Sequence, residues 1–487
     1  MRKEKIGIWG ILFVSLILRC VNIDARSIQY DDAFSIFLAE RSLPDIIRGT
    51  AADTMPPLFY FLLHFWMRLG EQVWFLRMLS ILFSLGSLVV LYFLVRTLFD
   101  QRAAFWAAVL AAISPLQIYH SQDIRMYAAL AFFQLAHWGF FVQIYRHGKT
   151  KQSTINWITF VFFGVLAMYT HNLAIFGLCV PLVYLIFKRQ WKDAGKVLLA
   201  DLVIGLLAAP WLVMVPGQIA KIQGAFWTPR PGLVELVQAG ILFVGTLPLP
   251  GIWLIIITVL SLQAIVFVLI ETWKNRSNEG VRLLTAMTII PPALLFVASY
   301  LMRPVFVPRG FLVSSLAFLG LAGAAVGKKR AGGFVLLFLF GLAAVISLPY
   351  QIFYQEFPRS PFREAANYLA EQTSLGDTIV HDNKLSYFPM LFYRRDLPQE
   401  FLADVPGSHN DTLAYETQKS LGIFPRRNLQ EAVRGKDGVF FVVFARTIAE
   451  YEALGEGTHP NLNWLKEQYK LANIENFGDL QIYHFTR

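Results

Sequence analysis

Apolar runs separated by short polar breaks fill the first 350 residues of this chain, and the pattern then changes. Apolar segments at 6–23, 73–95, 104–118, 126–145, 155–170, 173–187, 197–215, 240–270, 283–301, 310–326 and 333–351 read as eleven membrane spans. A hydrocarbon core of roughly 30 Å is crossed by about 20 apolar residues in a helix. The 240–270 run is broken at Leu247-Pro248-Leu249-Pro250-Gly251. It reads as one kinked span or as a span with a re-entrant piece. Between the first two spans, residues 24–72 form a long loop. There Phe34, Phe37 and Leu38, followed by Ile46 and Ile47, predict an amphipathic helix at the membrane surface. The apolar run 57–69 is too short to cross and predicts a second surface helix.

From residue 353 onward the sequence has the look of a soluble domain. Ser360-Pro361 marks a helix start, with proline at the first helical position. Strand-like runs follow at 378–381, 439–444 and 480–485. The expected fold class is a polytopic α-helical membrane protein with a small C-terminal α/β domain. Its domains divide as 1–352 in the membrane and 353–487 outside it.

Composition sharpens this picture. Of 487 residues, 56% are hydrophobic and 16% charged, against about a quarter charged in soluble proteins. The net charge of +10 splits unevenly, since residues 353–487 hold 14 Lys and Arg against 18 Asp and Glu. The excess positive charge therefore belongs to the membrane part. It falls at Arg2/Lys3/Lys5, Arg96/Arg102, Arg146/Lys149/Lys151, Lys188/Arg189/Lys192/Lys196, Lys274/Arg276/Arg282 and Lys328/Lys329/Arg330, in every second loop. The positive-inside rule then places the N-terminus in the cytoplasm, as an uncleaved anchor of a plasma-membrane protein, and the C-terminal domain outside. This charge orients the chain and does not predict nucleic acid as a partner. Cys20 and Cys179 lie in apolar segments and predict neither a disulfide framework nor a metal cluster.

By that parity Asp31-Asp32, Asp53, Asp123, Arg125, His171-Asn172, Arg303 and Arg309 gather at the outer ends of the spans. Ionisable groups at such depths cost free energy and mark a substrate path. Carboxylates can take a proton from a hydroxyl, and guanidinium forks can hold a phosphate. Bland readings stand beside these. Asp31 or Asp32 would cap a following helix, Asp123 and Arg125 would pair with each other, and His171 would be a satisfied interfacial histidine.

An acid pair in the first outer loop, followed after the third span by Ser121-Gln122-Asp123-Ile124-Arg125-Met126-Tyr127, resembles the GT-C glycosyltransferases. Within these it is similar to the protein O-mannosyltransferases and the aminoarabinose transferase of lipid A. The resemblance covers residues 1–350, and it departs from the usual pattern in having Asp32 where glutamate is customary. It implies Asp31 as the catalytic base, with Asp32 beside it, and Asp123 orienting acceptor or donor. It implies Arg309, then Arg303, with Arg125 assisting, as contacts to a lipid phosphate. Tyr127, His171 and Asn172 join them as substrate-binding candidates. The implied reaction moves a sugar from a polyprenyl-phosphate donor in the membrane lipid to a hydroxyl of a protein, lipid or glycan, with inversion, on the extracytoplasmic side. The resemblance leaves open a divalent ion bridging carboxylate and phosphate. No His-x-x-x-His or Cys-x-x-Cys spacing predicts a tightly held metal, and no glycine-rich loop suggests a nucleotide sugar. The main rival is a transporter or flippase of lipid-linked saccharides, which would favour inverted repeats and mid-membrane charges.

Overall fold

The computed structural model describes residues 2–147, 152–224, 228–302, 304–328, 331–408, 410–453, 455 and 458–487. Arg303, and the loop residues Lys149, Lys151, Lys329 and Arg330, lie outside the described residues. The chain divides into two compact units, Met1–Ile23 with Thr50–Ile352, and Asp24–Gly49 with Phe353–Arg487.

In the first unit all eleven apolar segments are helical. Eight helices are long and apolar enough to cross a membrane: Val73–Leu98, Tyr127–Arg146, Ser153–Thr170, Trp191–Leu212, Gly251–Lys274, Glu279–Leu301, Pro308–Val326 and Ala331–Ile352. A ninth is the pair Gln101–Ile113 and Pro115–Ser121, bent by 58°. Of the two remaining segments, the first lies in the 19-residue helix Arg2–Cys20 and the other is the shorter Ala174–Phe187. By length and composition alone, the described residues thus give eight such helices, or nine with the bent pair. The broken run near residue 247 resolves into a separate short helix, Leu233–Leu242, ahead of one continuous helix, Gly251–Lys274. Trp191–Leu212 begins six residues before the expected 197 because Lys192, Asp193 and Lys196 belong to its first turns.

Three prolines in this unit follow one rule. Proline has no N–H, so the carbonyl four residues before it loses its helical partner, and within a membrane that carbonyl must find another donor. Pro115 orphans the Ala111 carbonyl, which accepts from Arg19 Nη2 at 3.4 Å while Arg19 Nη1 reaches Ala112 O at 3.1 Å. Pro181 orphans Gly177 O, which accepts from Trp138 Nε1 at 2.8 Å. Pro291 orphans Met287 O, which accepts from Ser314 Oγ at 3.1 Å. Each donor comes from a different helix, so every such proline site is also a joint. Arg19, only 1% exposed, owes its place in an apolar run to this duty.

Helix Leu312–Val326 runs through the interior, and its small residues permit close packing. A Cβ built on Gly323 would lie 2.4 Å from Ala107 N and 2.6 Å from Ala107 Cα. Backbone meets backbone there.

The second unit contains a five-stranded sheet: β1 (Thr378–His381), β2 (Gln399–Phe401), β3 (Gly438–Phe444), β4 (Lys470–Phe477) and β5 (Leu480–Thr486), in the order β2-β1-β3-β5-β4. β1 pairs in parallel with β2 and β3, and β5 pairs antiparallel with β3 and β4. Alternate side chains of β3 enter two cores. Val439, Phe441 and Val443 pack with Leu429, Leu462 and Leu465. Phe440, Val442 and Phe444 pack with Phe362, Ala366 and Leu369. Helices cover both faces of the central strand, which explains its unbroken apolar run. Gly478, at φ +62°, opens the two-residue connection from β4 to β5. Asp479 in the same turn accepts from Phe357 N (3.0 Å) and Ser360 Oγ (2.7 Å), fastening the entry of the 353–487 segment to its last hairpin.

His381 on β1 is buried between Ser386 Oγ and Gln399 Oε1, each 3.1 Å away. Burial pushes its imidazolium down from 6.5 to about 3, against the opposing pull of Gln399. Between those values the unfolded chain binds a proton that the folded one refuses. Stability is therefore complete above pH 6.5 and falls as pH drops toward 3, by up to about 1.4 kcal/mol per pH unit. Hydrogen exchange across β1 and β3 of the intact protein, at pH 7 and 4.5, is expected to show this loss. His381→Gln, which cannot titrate, is expected to flatten it, and an unchanged slope in that variant would assign the acid sensitivity elsewhere.

Candidate active site

In the membrane unit three interhelical connections meet at one aromatic ring. Tyr127, 2% exposed, opens the helix Tyr127–His147. The Arg309 guanidinium lies over its ring at 5.1 Å. The His171 ring is tilted against it at 5.6 Å, and the His120 ring stands edge-on at 6.0 Å. Arg309 belongs to the one-turn helix Pro308–Phe311, which Gly310 N closes by donating to Val307 O at 2.9 Å. His171 follows Thr170 at the end of Gln152–Thr170.

The connection 122–126 is held from several sides. Gln122 Nε2 donates to Arg19 O (2.8 Å) and Val21 O (3.1 Å), which end the first helix. Asp123 Oδ2 lies 2.8 Å from His120 Nδ1. Arg125, 5% exposed, donates from Nη1 to Tyr60 Oη at 3.4 Å.

One hydrogen bond selects the tautomer of His171. Its Nδ1 accepts from Leu173 N at 3.0 Å, which leaves the proton on Nε2. Burial, with the neighbouring guanidinia of Arg125 and Arg309, pushes it down to about 3. It is thus a neutral N–H donor flanked by two cations, a donor set suited to the oxygens of a phosphate. The amide of Asn172 is committed to protein instead. Its Nδ2 donates to Thr54 O and Gln218 Oε1, both at 2.8 Å, and its Oδ1 accepts from Trp211 Nε1 at 3.0 Å. Asn172 therefore ties Thr54, Trp211 and Gln218 together. Lys221 adds a second tie to the same stretch through Asp53 at 3.3 Å.

The acid pair lies in the other unit, and the structure separates its two members. Helix Tyr30–Ala39 begins before them, so Asp31 and Asp32 stand in its first turn rather than ahead of it. Acids there are favoured by the positive end of the helix dipole. Asp32 is fully buried; it accepts from Gln29 N at 3.4 Å and lies 3.7 Å from Arg359 Nη1. Asp31 is half-buried. The apolar face of this helix, read from the sequence as membrane-directed, is covered by Phe388, whose ring meets Tyr30 at 5.1 Å, Phe37 at 5.8 Å and Phe34 at 6.4 Å.

Arg359, Tyr60 and Arg19 were not legible as site or support residues. The only signal was a lone charged or polar side chain in or beside an apolar run. Among the described residues no group of three or more His, Cys, Asp or Glu side chains is placed to hold a metal.

Comparison with known proteins bears on the fold. Residues 54–214 match the family model described as dolichyl-phosphate-mannose-protein mannosyltransferase. No curated protein sequence matches the chain. Among solved structures, ArnT from Cupriavidus metallidurans in the apo state is similar over 98% of this chain and 97% of its own, at 13% identity and a TM-score of 0.64. The same protein bound to undecaprenyl phosphate gives 13% identity and 0.62, with the same coverage. The Archaeoglobus fulgidus oligosaccharyltransferase is similar over 99% of this chain and 74% of its own, at 14% identity and 0.56. The chain is a multi-pass membrane protein with the GT-C glycosyltransferase fold.

Proposed function

We propose that the protein is a membrane glycosyltransferase that moves a sugar from a polyprenyl-phosphate donor to an acceptor hydroxyl on the extracytoplasmic side. The observation that carries this reading is the convergence of Arg309 and the neutral His171 at Tyr127, with the Arg125 charge acting on His171. Two of the similar structures are described with undecaprenyl phosphate or dolichol-phosphate bound, which supports a lipid phosphate as the ligand.

In this reading the two guanidinia and the His171 N–H take up the charge that develops on the leaving phosphate. Asp31 accepts the proton of the acceptor hydroxyl, whose oxygen forms the new bond to the anomeric carbon as the bond to phosphate oxygen breaks. One displacement inverts the anomeric configuration. The Asp123–His120 pair orients the His120 ring against Tyr127.

The test is transfer of radiolabel from a panel of polyprenyl-phosphate sugars to endogenous membrane acceptors, with Arg309→Ala alongside wild type. One donor should label an acceptor. Arg309→Ala should remain folded and lose about 10²–10³-fold in kcat/KM, as when a charge-stabilising donor is removed. Full activity in that variant would remove Arg309 from the phosphate site. Sugar-lipid movement across proteoliposomes, with no transfer from any donor, would replace the enzyme with a flippase.

A further inference from the structure

We propose that the 353–487 part of the chain positions the base, with Arg359 as the positioning residue. The proposal rests on the reading of Asp31 as the group that takes the acceptor proton. Residues 24–49 and 353–487 are far apart in sequence, yet they form one compact unit. Arg363 Nη2 donates to Asp24 O at 2.9 Å, Arg359 Nη1 to Ser27 O at 3.0 Å, and Ile28 N to Tyr393 Oη at 2.9 Å. Arg395 forks onto Glu40 at 3.0 and 2.5 Å, with its guanidinium over Phe37. Arg41 donates to Leu421 O, and Thr417 Oγ1 to Gly49 O at 3.4 Å.

These ties are densest around Asp31. Arg359, 1% exposed, reaches Ser27 O ahead of the helix and the Asp32 carboxylate within it. Tyr30, the residue before Asp31, is fixed by its edge-on packing against Phe388. Both chain neighbours of Asp31 are therefore held by residues of the 353–487 segment. In a first helical turn the direction of one side chain follows from the backbone on either side of it. Both contacts of this clamp come from Nη1, and lysine, one atom shorter, cannot bring its ammonium to that point without moving the backbone.

The experiment uses the full chain in nanodiscs. It measures kcat and KM for transfer, affinity for undecaprenyl phosphate, and thermal unfolding. Arg359→Lys is expected to fold, to bind undecaprenyl phosphate within about two-fold of wild type, and to lose about 100-fold in kcat with donor KM unchanged, the cost of roughly 1 Å of misplacement. If the single variant unfolds, Arg359→Met combined with Asp32→Leu replaces the buried pair by apolar side chains of similar size and should restore the fold. Its kcat should stay low, because the clamp is still missing. Wild-type kcat in either folded variant overturns the proposal while leaving the enzyme reading intact. A wild type that transfers no sugar overturns both.

Discussion

Asp31→Asn is expected to yield a folded, lipid-phosphate-binding protein whose sugar transfer is about 10²–10⁴-fold slower, the range for loss of a general base. Asp32→Asn is expected to fail differently. Asp31 is half-buried, so its carboxylate can meet an acceptor. Asp32 is fully buried beside Arg359 and receives the Gln29 N–H. Removing one charge from a buried pair costs about 3–5 kcal/mol, because the partner is left buried and uncompensated. The two variants should therefore separate in a paired assay of label transfer per mass of folded protein and of thermal unfolding. Asp31→Asn lowers the first and spares the second, while Asp32→Asn lowers the second. If transfer persists in Asp31→Asn, the base moves to Asp32 or Asp123.

The second large effect concerns packing. Gly323→Leu is expected to prevent folding of the membrane unit, and Gly323→Ala to destabilise it by about 1–3 kcal/mol. A Cβ at this position would lie within 2.6 Å of both Ala107 N and Ala107 Cα, and a helix backbone cannot step aside as a side-chain tip can. Gly341 supplies the control, because nothing lies within 4 Å of a Cβ built there. Gly341→Ala should leave unfolding of the detergent-solubilised protein unchanged or slightly raise its midpoint, since alanine favours the helix. If the two alanine variants behaved alike, close approach at Gly323 would not be what holds these helices together.

Hydrophobic periodicity made most of the helices legible, because a span must be apolar over its whole length whatever it packs against. The inner strands β1, β3 and β5 announced themselves by apolar runs. The edge strands did not. β2 is three residues long, and β4, Lys-Leu-Ala-Asn-Ile-Glu-Asn-Phe, is largely exposed and shows no alternation. Among site candidates, Asp123, Arg125, Tyr127, His171 and Arg309 stood out because charge and hydrogen-bonding groups are costly beside a membrane. The roles of Arg19 and Arg359 could not be read. Arg19 answers a carbonyl freed by Pro115, more than 90 residues away, and Arg359 answers an acid more than 300 residues earlier. Single-sequence patterns carry local periodicity and not such pairings. For the same reason the apolar face of Tyr30–Ala39 could not reveal that Phe388 covers it.

The joining of 24–49 to 353–487 also sets an order of events during synthesis. The early loop leaves the ribosome about 300 residues before the first segment it is to pack against. At roughly 5–20 residues per second, that is a wait of about 15–60 s. The final strand completes the sheet only when translation has ended. The loop bearing Asp31 therefore takes its shape last, and a chain that stalls or is cut before residue 480 carries its membrane helices without a formed clamp on its acid.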